Sequence, residues 1–93
     1  MVYGVRFTSK FKKNYKKMQK RGLRKADLER VVILLRNGVA LDEKYRDHAL
    51  KGASRGYREC HIHPDWLLVY KKQDDILILT LVDTGSHSDL FGM

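Results

Sequence analysis

The sequence predicts an α+β domain in which an N-terminal strand and a two-helix hairpin pack on an antiparallel four-stranded sheet, in the order β-α-α-β-β-β. Three observations point there. "VYGVRF" alternates large apolar residues at a period of two, as a strand does. Two helical seams follow, divided by Gly22. The final third holds three strand-like segments, "GYRECHIH", "WLLVYKK" and "ILILTLVDTG", whose "PD" and "QDD" joints are short enough to force antiparallel neighbours. A chain of 93 residues has room for one core, so residues 1–93 are read as a single domain.

Each element has its own local reason. The first helix can be capped by Thr8 or Ser9, carries Phe11, Tyr15 and Met18 at i, i+4 and i+7, and stops at Gly22. The second is expected over about Leu23 to Asn37, with Leu28, Val31, Val32 and Leu35 on one face and Gly38 as terminator. Residues 39–55 show neither period, and a loop of that length in a small domain is usually functional. The tail "SHSDLFGM" has Ser86 and Asp89 at capping-box spacing and predicts one helical turn.

The net charge of +8 is unevenly placed: residues 1–25 hold ten Lys or Arg and no Asp or Glu. Such a block attracts polyanions, nucleic acid before an anionic membrane. Lys12, Lys13, Lys16 and Lys17 are the expected phosphate grip. A membrane-surface role fits poorly, because the apolar seam of the first helix is narrow and the apolar runs "VVILL" and "ILILTLV" are far below membrane-spanning length. One cysteine and no leader pattern lead to the expectation of a cytoplasmic protein.

Alternation along 57–63 sets Tyr57, Glu59, His61 and His63 on one face and Arg58, Cys60 and Ile62 on the other. Cys60 and His61 therefore cannot share a metal ion within a regular strand; a set of His61, His63 and His48 is left open as the alternative, and the expectation is no cofactor and no metal. Cys60 reads as a small core residue rather than a nucleophile. His48, His61, His87 and Asp65 are the residue types that general acid–base chemistry needs, although their separation in sequence does not show that they converge.

The blocks "YRDHALKG", "GYRECHIHPDWLLVYK" and "GSHSDLFG", in that order behind a basic helix hairpin, closely resemble the RelE superfamily of bacterial toxin–antitoxin endoribonucleases, specifically its YafQ branch. The resemblance spans nearly the whole chain. It implies a small ribosome-associated toxin that cuts mRNA without a metal and is held inactive by a cognate antitoxin, with mRNA, ribosome and antitoxin as partners. It implies His48, His61, Asp65 and His87 as catalytic residues, and Trp66 and Phe91 as further site residues. Both aromatics are of a type that stacks on bases, with core packing the competing reading for Trp66 at the start of a strand. Arg55 or Arg58 would then offset charge on phosphorus, Arg58 less readily because alternation turns it toward the helices. His63 has no assigned role. The rival reading is a non-catalytic RNA-binding or antitoxin-sequestering module of the same fold.

Overall fold

In the computed structural model, which describes residues 2–52 and 56–91, the first strand and first helix meet at Thr8. β1 (Gly4–Phe7) ends there, and α1 (Ser9–Lys20) begins with the Thr8 hydroxyl accepting from the Phe11 N–H at 3.0 Å. The same hydroxyl donates to the Val82 carbonyl at 2.6 Å, so one residue caps the helix and pins it to the sheet. α1 buries Phe11 and Met18, half-buries Tyr15 and turns its lysines outward. Gly22, at φ +88°, ends it.

α2 (Lys25–Arg36) starts two residues later than the pattern suggested, because Arg24 occupies the cap position and offers no side-chain acceptor. It buries Leu28, Val31 and Leu35. Residues 39–52 are more structured than expected. Glu43–Tyr45 form a 3-10 turn, capped by Asp42 through the Lys44 N–H, and β2 (His48–Ala49) adds a two-residue strand.

β3 (Arg58–His63), β4 (Trp66–Gln73) and β5 (Ile78–Gly85) form the antiparallel meander that the short joints required, and α3 (His87–Phe91) closes the described chain. The sheet has five strands in the order β1-β5-β4-β3-β2, one more than expected. It is also mixed rather than wholly antiparallel, since β1 runs parallel to β5 with Gly4 opposite Ile78 and Phe7 opposite Leu81. Short joints fix only β3, β4 and β5. The two helices carry the chain from one sheet edge to the other, which leaves the outer edge of β5 open to β1.

The core lies between the helices and one face of the sheet, where Phe11, Met18, Val31 and Leu35 meet Cys60, Trp66, Leu68 and Tyr70. Trp66 is 1% exposed and its indole N–H donates to the Thr84 hydroxyl at 2.9 Å, so the expectation that it stacks on a base is corrected. The first residue of β4 faces inward, where a large aromatic contributes more by burial than it would at the surface.

Candidate active site

β3 is the backbone of the site. Its alternation aims Cys60 and Ile62 at the core and leaves Glu59 and His61 on the other face, as the sequence indicated. His63 departs from that pattern: a register shift between His61 and His63 brings His63 opposite Trp66, the core-facing start of β4. Its Nε2 lies 2.8 Å from the Asp27 carboxylate on α2, so it braces helix against sheet at the rim of the cleft.

β2 sets His48 directly across from Glu59. The loop before it is held firmly: Arg58 donates to Asp47 from Nε at 3.3 Å and Nη2 at 3.1 Å, and the Tyr70 hydroxyl donates to the same carboxylate. Burial first, and then Asp47, push the Tyr70 phenol far above its usual range, so it remains a donor. Arg58 is thus engaged with Asp47 on the opposite face of β3 from His61, and the expectation that it contacts phosphate is corrected: its fork positions the segment that carries His48. Arg46, at φ +47°, adopts the left-handed conformation uncommon for a non-glycine residue. Its carbonyl lies 2.7 Å from His48 Nδ1. A carbonyl only accepts, so Nδ1 carries the proton and the Nε2 of neutral His48 is the free lone pair.

The β3–β4 turn presents Asp65, and the first residue of α3 presents His87. Asp65 Oδ1 accepts from the His87 backbone N–H at 2.9 Å and lies 2.7 Å from its Nδ1. Those two contacts, the backbone one first, hold the Asp65 carboxyl below its ordinary range. An ionised carboxylate at Nδ1 orients the ring and leaves Nε2 for chemistry.

These elements bring three histidines into one row. The His48 and His61 rings are 6.5 Å apart and the His61 and His87 rings 5.5 Å, with Phe91 6.4 Å beyond His87. Phe91 is 46% exposed, which leaves a ring face available. Glu59, missed as a site residue by sequence reasoning, lies beneath the row at 3% exposure. Its Oε1 is 3.6 Å from His48 Nε2 and 3.9 Å from His61 Nε2. Its Oε2 has no hydrogen-bond partner among the described residues. The signal available in the sequence was its place two residues before His61 on the same face.

His61, His63 and His87 line a cleft of about 590 Å³ together with Arg30, Lys44 and Arg46. None of those three cations stands out in the sequence, because the fold rather than spacing gathers them from α2 and the 3-10 turn. Lys12, Lys13, Lys16 and Lys17 line a separate shallow trough along α1, away from the histidines. Arg55 lies outside the described residues. Among the described residues no group of three or more His, Cys, Asp or Glu is arranged to hold a metal ion. Cys60 is fully buried, and desolvation pushes its thiol up to about 12.

Residues 3–92 match the family described as the bacterial toxin of type II toxin–antitoxin systems, YafQ. The chain belongs to the YafQ toxin family. It is 36% identical over 89 residues to the mRNA interferase toxin YafQ of Escherichia coli K12, covering 95% of each chain. Its fold matches the toxin in the crystal structure of the E. coli DinJ–YafQ toxin–antitoxin complex at a TM-score of 0.89, with 35% identity over 99% of this chain and 100% of that one. A metal-bound toxin from Helicobacter pylori matches at 0.89 as well, with 42% identity over 98% of this chain and 100% of that one. The family assignment read from the three sequence blocks is therefore correct, as is the α+β class.

Proposed function

We propose that this YafQ-family toxin is an mRNA interferase that cleaves the RNA backbone by histidine general acid–base catalysis. The observation that carries the reading is the row of His48, His61 and His87, whose outer rings are each oriented through Nδ1, by the Arg46 carbonyl and by Asp65. One ring takes the proton of a 2′-hydroxyl, the 2′-oxygen attacks the adjacent phosphorus in line, and a second ring protonates the departing 5′-oxygen. The products are a 2′,3′-cyclic phosphate and a 5′-hydroxyl. Glu59 faces two ring nitrogens from a buried position, ready to pair with either ring when it is protonated. Arg30, Lys44 and Arg46 line the same cleft, where cations favour the extra negative charge on phosphorus. Phe91 offers an exposed ring for a base at the end of the row.

A second basic surface supports delivery to large RNA. The lysines of α1 form a polyanion-binding strip outside the cleft, and ribosomal RNA is the substrate-bearing polyanion that suits it. The cognate antitoxin has a third surface: an apolar groove of about 620 Å³ between α1 and α2, lined by Phe7, Phe11 and Ile33 among others. Among the described residues its lining carries Lys12, Lys16 and Lys25 against one acid, Glu29, which suits an amphipathic segment with acidic flanks. Phe7 is 51% and Ile33 56% exposed in the free chain.

The test is cleavage of translated mRNA read by primer extension, with a matched substrate carrying a 2′-deoxy sugar at the cut site. The native substrate should be cut to a 2′,3′-cyclic phosphate and the deoxy substrate should resist. Efficient cutting of the deoxy substrate would remove the proposed nucleophile.

A further inference from the structure

α3 poses a physical problem. It is five residues long and buries no side chain, and a free segment of that length does not hold a helix in water. Yet it carries His87 and Phe91, and catalysis demands that such groups be fixed closely. Two polar anchors meet the need. Asp65 on His87, already described, holds the first residue. The other is built around Asp89, two residues further on, and it reaches α1.

Arg21, the residue that closes α1, forks onto Asp89 with Nη1 to Oδ2 at 2.6 Å and Nη2 to Oδ1 at 3.1 Å. Asp89 Oδ2 also accepts from the Ser86 backbone N–H at 2.8 Å, while the Ser86 hydroxyl accepts from the Asp89 N–H at 3.2 Å. Asp89 therefore completes the reciprocal cap of α3 and receives a bidentate guanidinium from a helix distant in sequence. Hydrogen bonds from Arg21 first, and then from Ser86, hold its carboxyl far below the usual range, so the anchor is ionised throughout the neutral range. Gly85 completes the fit: a Cβ there would lie 2.8 Å from the Asp89 Cβ, so only glycine lets α3 fold back this closely.

We propose that Arg21 is a positioning residue, clamping α3 through Asp89 so that His87 and Phe91 stand at the end of the histidine row. Arg21 sits among the lysines of the basic N-terminal block, and charge alone would assign it to RNA. The geometry assigns it inward, to the site. The proposal rests on the histidine-catalysis reading for its kinetic consequence and not for its structural one.

The experiment is a double-mutant cycle of Arg21→Gln and Asp89→Asn, read by single-turnover cleavage and by NMR of the His87 ring and α3 amides. Each single variant should lower kcat by about tenfold to a hundredfold with little change in KM, the scale on which misplacing a catalytic group acts. The double variant should be no worse than either. Arg21→Lys, which keeps the charge but not the fork, should recover only part of the rate. If Arg21 instead served RNA, Asp89→Asn would free it and tighten substrate binding, and that outcome overturns the proposal. Additive losses in the double variant would overturn it too. The NMR arm separates this inference from the proposed chemistry: faster exchange of the Leu90 amide and a shifted His87 ring signal in both variants support the clamp even in a protein that cuts nothing. Unaltered α3 signals reject it even if cleavage proceeds as proposed.

Discussion

Removing one ring from the row at a time separates the roles of its members. Alanine at His48, His61 or His87 should each lower the cleavage rate by about 10²- to 10⁴-fold, the usual worth of a positioned acid or base, with thermal stability nearly unchanged for the two exposed rings. The pH–rate profile should be bell-shaped. The variant lacking the base loses the acid limb and the variant lacking the acid loses the alkaline limb, which assigns the roles. His63→Ala should leave the rate close to wild type, because that ring is committed to Asp27. Trp66→Ala should act on folding instead, at about 3–5 kcal/mol for a buried aromatic, read by denaturant melts. How far the sequence reached is visible here. Alternation correctly separated Cys60 from His61, since the period of two is a local property. It failed at His63, where a bulge depends on the neighbouring strand. Glu59 was passed over although it shares a face with His61, because its second ring partner, His48, reaches it only through the pairing of β2 with β3.

At the level of elements, α3 is where pH should act first. Asp65 and Asp89 both titrate below the ordinary value of 3.8 when folded, so the support they give α3 is complete above about pH 4 and fades as the pH falls through their lowered values. Amide signals of residues 87–91 should therefore shift in acid before those of β4 and β5 lose protection, and Asp89→Asn should remove much of that early step. Simultaneous loss of α3 and the sheet would show that the carboxylates do not tether the tail. On α1, replacing Lys12, Lys13, Lys16 and Lys17 by Gln should weaken ribosome binding and flatten its salt dependence, since fewer counterions are released, while free RNA is still cut. An unchanged salt slope would reduce the strip to a solvated face. The helices themselves were legible from their seams and glycines. The parallel pairing of β1 with β5 was not, because no local joint connects those strands.

At the scale of the molecule, the groove between α1 and α2 and the cleft at β3 and α3 share no lining residue among the described residues. α2 contributes to both, sending Asp27 and Arg30 to the cleft and Leu28, Val32 and Ile33 to the groove, so one helix separates two surfaces by its faces. If the groove receives the antitoxin's amphipathic segment, recognition and catalysis should come apart under mutation. Phe7→Ser with Ile33→Asp places a polar group and an acid where an apolar face with acidic flanks would dock, and both side chains are already more than half exposed, so the core keeps its packing. This variant should cut mRNA at the wild-type rate yet bind antitoxin at least about tenfold more weakly, since losing one or two well-packed apolar anchors costs upwards of about 1.4 kcal/mol. His87→Ala should do the reverse, binding antitoxin with wild-type affinity while cutting little. Calorimetric titration of both variants with the antitoxin, set beside their cleavage rates, decides the matter: full antitoxin affinity in the groove variant would place the partner elsewhere on the surface.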